Sequence, residues 1–125
     1  MKLFVGALAT IVLAGAICAF GTNESIKKID EMLDTLNATE SESGEVPQDA
    51  LSRAESFGKQ WDENMFLISM FLPHHHLDEV KEKLVSLIAY AKTNEYAEWQ
   101  EAAAVLEEEM QHIRGLIRVS ADNIL

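Results

Sequence analysis

Histidines and glutamates in the second half of the sequence are the residues whose types and spacing suggest chemistry. Three histidines are consecutive at positions 74–76, and Glu79 follows His76 by three residues, which places both on one face of a helix. Further along, Glu109 and His112 form a Glu-x-x-His motif with the same spacing. Imidazole nitrogen binds zinc, copper, iron or nickel. His76, Glu79, Glu109 and His112 are therefore candidate metal ligands.

We nevertheless expect these residues to have a structural role and not to bind a metal. Carboxylate-bridged di-iron bundles use two Glu-x-x-His motifs and two further glutamates, whereas this chain has one such motif. Neighbouring side chains on a helix point about 100° apart, so residues 74–76 cannot all face one ion. We predict that they form a helix start bonded to backbone or water, with His112 beside the core. A metal site remains the alternative, and a pH-sensitive contact the third possibility, because histidine titrates near neutrality.

Other catalytic or cofactor chemistry finds little support in the sequence. Cys18 is the single cysteine, which excludes an intrachain disulfide, CxxC zinc sites and CxxCH haem attachment. Haem ligation would need an axial histidine or methionine inside the bundle. Met65, Met70 and Met110 are available, but methionines in an apolar stripe usually fill gaps in a core. The serines lack the glycine pattern of a nucleophile elbow. We therefore expect no cofactor, no metal and no enzymatic activity.

Amphipathic helices must position these residues. The first apolar stripe combines Ile26, Ile29, Leu33 and Leu36, and the polar residues 37–45 after it form a predicted loop. A second helix over 47–72 has the most regular spacing, with an alternation of three and four residues at Leu51, Ala54, Gly58, Trp61, Met65, Ile68 and Leu72. The same stripe would also suit a helix–helix interface between two copies of the chain. Pro73 should end this helix near Leu72.

Two more stripes follow Pro73. The third helix presents Leu77, Val80, Leu84, Leu87 and Ala91, and residues 92–95 form a short break. The fourth helix presents Trp99, Ala103, Leu106, Met110, Ile113 and Ile117, before a tail over 120–125. Four one-sided helices with short connections predict an all-α, antiparallel four-helix bundle. In that arrangement His76 and His112 become neighbours.

An uncharged N-terminal run precedes the bundle. Leu3 to Phe20 comprises 18 residues without a charge, which is long enough for a membrane-spanning helix. Small residues at positions 19 and 21, in the sequence Ala19-Phe20-Gly21, also permit cleavage of a signal peptide near Gly21. The predicted domains are a signal anchor or signal peptide over 1–21 and a helical bundle over 22–125. Lys2 before the run predicts a cytoplasmic N-terminus and a domain outside the cytoplasm.

The bundle itself is strongly acidic. After Lys2 is set aside, 9 basic residues face 21 acidic ones, so residues 21–125 carry a net charge of about −12. Such a domain should be repelled by nucleic acid and by anionic lipid headgroups. We expect no nucleic-acid partner.

Several short motifs resemble a known family. They are the apolar N-terminus, Trp61 in mid-helix, the stretch 75–80 (His-His-Leu-Asp-Glu-Val), the His112-Ile113 pair and the ending 123–125 (Asn-Ile-Leu). Together they are similar to domain-of-unknown-function family 4363, which comprises small bacterial proteins. The resemblance implies an anchor and helices, and it implies no activity and no catalytic residue.

The function that these features favour is binding or assembly. We expect a membrane-tethered, extracytoplasmic helical bundle, held in the membrane through residues 3–20, with an unknown protein partner or a homo-oligomer. A protein secreted after cleavage at about residue 21 is the alternative location. A metal-binding or redox bundle that uses His76, Glu79, Glu109 and His112 is the alternative function. Trp61 and Trp99 should lie in the core, although Trp99 with Tyr96 would also suit an exposed binding edge.

Overall fold

Four α-helices form the described part of the chain. The computed structural model describes residues 2–36 and 44–124 and contains no strand in them. The helices are α1 (Lys2–Leu36), α2 (Ala50–Ser69), α3 (His74–Lys92) and α4 (Tyr96–Ile124). The all-α four-helix prediction is confirmed. Most of the predicted polar loop, residues 37–43, lies outside the described residues.

The helices pack as an antiparallel ring. α1 contacts α2 and α4, and α3 contacts the same two helices from the opposite side. Thr35 and Gln60 exchange hydrogen bonds of 3.0 and 3.3 Å between α1 and α2. Across the α1–α4 contact, the Nε of Arg114 lies 2.8 Å from the Oδ1 of Asp30. Each helix therefore uses its apolar stripe against two neighbours.

The core is made by the stripes that the sequence predicts. Its largest fully buried side chains are Trp61, Phe57, Ile29, Met32, Ile68, Leu87, Leu106, Met110, Ile113 and Ile117. Gly58 lets α2 approach α3, because a Cβ atom there would stand only 3.1 Å from the Leu84 Cδ2. The apolar stripe of α2, apart from the exposed Met65, thus packs within the monomer.

α1 continues from the apolar N-terminal run into the bundle without a break. Its 35 residues span about 52 Å at 1.5 Å per residue. Where burial is described between Lys2 and Phe20, the residues are exposed apart from the half-buried Gly15 and Ala19, whereas Gly21, Thr22 and Ser25 are buried. The hydroxyls of Thr22 and Ser25 donate to backbone carbonyls of their own helix, at 2.9 and 2.8 Å. Burial therefore begins at the residue where the sequence divides anchor from bundle.

The turn between α2 and α3 lies at the end of the bundle from which the apolar segment projects. The ring of Phe71 approaches Gly21 so closely that a Cβ there would stand 3.2 Å from the Phe71 Cζ. Pro73 has an extended backbone (φ −62°, ψ 148°) and precedes the first residue of α3. The break at Pro73 is confirmed, but α2 ends at Ser69, three residues before the predicted end.

The remaining helix ends differ from the prediction by a few residues. α2 begins at Ala50 and not at Pro47, because the Ala50 N–H donates to the Pro47 carbonyl across a three-residue turn. Asn94 adopts φ +54° after α3, a left-handed conformation that asparagine tolerates, and its Oδ1 accepts the Val46 N–H at 3.2 Å. α4 continues to Ile124, so the predicted tail at 120–125 is helical as far as that residue.

We expect a fragment of residues 22–125 to be soluble and strongly helical without the apolar segment. Every buried side chain of α1 beyond Gly21 stays in that fragment, and the acidic surface favours solubility. Circular dichroism at micromolar concentration checks this prediction. A largely disordered spectrum contradicts it, and folding only at high concentration would show that other copies of the chain complete the core.

Candidate functional site

The start of α3 separates the three consecutive histidines. Since α3 begins at His74, successive side chains diverge by about 100° around the helix. His74 and His75 are exposed, His76 is half-buried, and Leu77 turns into the core. One histidine of the three therefore faces the neighbouring helix α4.

His76 meets a carboxylate of α4. Its Nδ1 lies 3.3 Å from the Glu109 Oε1, and both side chains are largely covered, with exposures of 14% and 18%. One turn along α3, the exposed Glu79 lies on the same side. One ligand atom from each of His76, Glu79 and Glu109 lies within 4.8 Å of the other two. These three residues form the His–Glu cluster.

His112 borders the His–Glu cluster from α4. Its ring centroid lies 5.5 Å from that of His76, with the planes inclined by 60°. The ring centroid of His75 lies 4.0 Å from that of His76, with the planes inclined by 38°. The structure thus brings together all four residues selected from the sequence and leaves His74 exposed. The predicted proximity of His76 and His112 is confirmed.

Basic side chains do not neutralise the two glutamates of the cluster. The lysine and arginine ion pairs of the described residues are Lys28 with Glu24 and Glu31, Arg53 with Asp49, and Arg114 with Asp30. No lysine or arginine between residues 44 and 124 pairs with Glu79 or Glu109. The arrangement can therefore form a histidine–carboxylate hydrogen bond or hold a cation.

The cluster differs from a di-iron centre in its location. A di-iron site receives ligands from all four helices and lies inside the bundle. Here the ligands come from α3 and α4 alone, while the described parts of α1 and α2 contribute apolar side chains such as Ile29, Phe57 and Trp61 to the interior. The missing second Glu-x-x-His motif is consistent with this two-helix surface site.

A shallow groove also runs along the α3–α4 contact, further from the apolar segment of α1. Its volume is about 180 Å³, below the 300–1,000 Å³ of usual small-molecule sites. Tyr90, Glu98 and Lys83 line it. The groove is therefore too small for a substrate of ordinary size.

The aromatic and methionine predictions have mixed outcomes. Trp61 and Trp99 are core residues as expected, which excludes Trp99 as an exposed binding edge. Met110 is buried, but Met65 and Met70 are exposed, so their assignment as core residues is wrong. Phe57 and Trp61 lie at the centre of the buried face of α2, and the exposed Met65 and Met70 lie outside that face.

An apolar patch on α2 was missed by the sequence analysis. Phe66 on α2 is 81% exposed, and Met70, which follows the last residue of α2 and keeps a helical backbone, is 63% exposed. These two residues form the outer patch of α2. The available signal was their spacing of four residues, off the regular stripe and hence on one outer face of the helix.

Comparisons with known proteins show one match. A family model described as domain of unknown function DUF4363 matches residues 20–124. No curated protein and no solved structure matches the chain.

Proposed function

The chain belongs to the DUF4363 family, and on this premise we propose that it is a membrane-tethered domain that assembles with a second copy of itself. In this proposal the bundle lies outside the cytoplasm and acts by binding, without catalysis. The observation that carries it is the exposed outer patch of α2, Phe66 and Met70, at the end of the bundle nearest the apolar segment.

The tether is supported by the length and exposure of α1. Among the described residues, one helix is long and apolar enough to cross a membrane, and the apolar window near its N-terminus is not buried by the bundle at all. Because α1 is continuous past Gly21, the same helix enters the bundle. We infer that the segment is a retained anchor and not a cleaved signal.

The location outside the cytoplasm rests on charge. Lys2 and the amino terminus precede the apolar segment, whereas Lys27 and Lys28 after it are offset by Glu24, Asp30 and Glu31. Positive flanks remain in the cytoplasm. This charge distribution favours a cytoplasmic N-terminus and an exported bundle.

A second copy of the chain is the binding partner that best suits the outer patch of α2. Phe71 packs beside Gly21, so the outer patch lies close to the level at which α1 leaves the bundle. The anchor holds the outer patch at the same distance from the membrane in every copy. The outer patches of two neighbouring copies can therefore contact each other in the plane of the membrane. Isologous contact of this kind is the commonest form of self-assembly.

The anchor and the surface charge give further support. Gly6, Thr10 and Ala14 are spaced by four residues and exposed, a pattern that lets membrane helices approach closely. By contrast, the acidic bundle should be repelled by anionic headgroups, which disfavours a lipid surface as the ligand of the outer patch. Self-assembly needs only the contact between copies.

Absence of catalysis is supported by the surroundings of the possible nucleophiles. The hydroxyls of Ser25 and Ser69 donate to backbone carbonyls of Gly21 and Phe66. Within residues 44–124, the one histidine hydrogen bond joins His76 to a glutamate. Neither of these two hydroxyls therefore has a histidine partner that could activate it.

We expect a cysteine beside the outer patch to cross-link two copies. Glu63→Cys in a Cys18→Ser background places a thiol on the same outer face as Met70, seven residues before it, without altering the patch. In membranes of a bacterial host, mild oxidation should give a disulfide-linked dimer, and Phe66→Glu with Met70→Glu should abolish it. A membrane-impermeant maleimide should label the same thiol in cells stripped of outer layers.

The matched control is Gln111→Cys, on the exposed side of α4. α4 does not contact α2, so this thiol should not cross-link. Equal cross-linking at positions 63 and 111, or linkage of position 63 to a different protein only, would overturn self-assembly through α2. Labelling of Glu63→Cys only after the membrane is opened would place the bundle in the cytoplasm.

A further inference from the structure

We propose that His76, Glu79, Glu109 and His112 bind a divalent transition-metal cation, of which Zn²⁺ is the best representative, and that the cation fastens α3 to α4. The site is independent of the outer patch of α2. It is built from the His–Glu cluster, whose three ligand atoms already lie within 4.8 Å of one another, with His112 beside them.

The distances suit a tetrahedral ion. Zinc binds imidazole nitrogen and carboxylate oxygen at about 2.0–2.2 Å, so two ligand atoms of a tetrahedral site stand about 3.3–3.6 Å apart. The His76 Nδ1 and Glu109 Oε1 are separated by 3.3 Å. A carboxylate oxygen of Glu79 lies within 4.8 Å of the ligand atoms of His76 and Glu109. Rotation of the Glu79 side chain can shorten these distances. Three ligands are thus placed near their coordinating positions.

His112 supplies the fourth ligand. It lies one turn after Glu109 on the same face of α4, and its ring centroid is 5.5 Å from that of His76. The ring is exposed, and rotation about its side-chain bonds would bring one of its nitrogens to the cluster. The ring of His75 also lies 4.0 Å from that of His76, but consecutive side chains on a helix diverge by about 100°, so His75 and His76 cannot both point to one ion.

The charge of the site favours a cation. The ligand atoms of Glu79 and Glu109 lie within 4.8 Å of each other, and no lysine or arginine in the described chain forms an ion pair with either carboxylate. The net charge of about −12 on residues 21–125 raises the local concentration of cations. A divalent ion would compensate both carboxylates and bind both rings.

The donor set selects the class of metal. Calcium and magnesium prefer sites made entirely of oxygen, whereas two imidazoles with two carboxylates suit Zn²⁺ or a neighbouring first-row ion. Four protein ligands would leave no open coordination position, which is the character of a structural zinc site. The inferred role is therefore to join the start of α3 to the middle of α4.

The test uses the full-length protein, purified without a tag in detergent, with Zn²⁺ as the probe. One equivalent should bind, and an excess about 100-fold above the dissociation constant should raise Tm by about 10 °C relative to protein in chelator. Glu109→Gln and His76→Ala should each weaken binding by about 10-fold or more and remove most of the Tm shift. Circular dichroism confirms that each variant is folded.

His74→Ala is the matched control, because it removes a neighbouring histidine that lies outside the cluster. Its affinity for Zn²⁺ and its Tm shift should equal those of the wild type. If His74→Ala weakens binding as much as Glu109→Gln does, the histidine triplet binds metal without the α4 residues and the proposal is overturned. It is also overturned if Zn²⁺ leaves Tm unchanged. The α2 cross-link should be unaffected by either result.

Discussion

Substitution of Met110 by lysine is expected to unfold the bundle. Met110 is fully buried on α4, in the cluster that contains Leu106 and Ile113. An ammonium group there would lose its hydration, and an unpaired buried charge costs several kcal/mol. Domains of this size are stable by about 5–15 kcal/mol, so the loss removes much or all of that stability. Urea unfolding of the 22–125 fragment, followed by circular dichroism, measures the effect.

Gln111→Lys is the control for this change. Gln111 is the next residue on the same helix and is exposed, so the same new charge meets water there. Its effect on the free energy of unfolding should stay within about 0.5 kcal/mol, as for ordinary surface substitutions. If the two variants unfold at the same urea concentration, residue 110 does not face the core.

Trp61→Ala is expected to lower the free energy of unfolding by about 3–5 kcal/mol, the usual cost of removing a large aromatic side chain from a core. Trp61 is 1% exposed and lies midway along α2. Its Nε1 has no hydrogen-bond partner among the described residues, so its stabilising effect comes from packing. The midpoint of urea unfolding, with the unfolding slope held constant, gives the change in stability.

Two further variants separate packing from other contributions. Trp61→Phe keeps most of the packed ring and loses no hydrogen bond, so it should cost clearly less than Trp61→Ala. Phe66→Ala removes an aromatic ring from the exposed outer face of the same helix and should change monomer stability little. An equal cost for Phe66→Ala and Trp61→Ala would contradict the orientation of α2.

The helical periodicity of the sequence was sufficient to predict the bundle. Residues such as Trp61, Leu106 and Ile117 recur at spacings of three and four, and these positions are buried. Pro73 lacks an N–H and fixes its own backbone, so the break before α3 was also predictable. Periodicity does not define how wide the buried face is, and for that reason Met65 was placed in the core incorrectly.

The candidate site was predictable in its members but not in its geometry. An antiparallel arrangement of α3 and α4 was enough to bring His76 near His112. Which histidine of the three faces α4 depends on the residue at which α3 begins, and helix ends are set by local turns. Its distance to Glu109 also depends on the register of two helices. The outer patch of α2 was missed because the four-residue spacing of Phe66 and Met70 is a single pair off the regular stripe, which is too short to define a second apolar face.

Because α1 is one continuous helix, the rotation of the bundle about the axis of α1 is fixed relative to the anchor. Each residue of an α-helix turns the chain by about 100° and advances it by 1.5 Å. One alanine inserted between Phe20 and Gly21 would therefore rotate the bundle by about 100° relative to the anchor, whereas seven would restore the original direction to within about 20°. The direction that Phe66 and Met70 face in the plane of the membrane is thus encoded by the number of residues in α1.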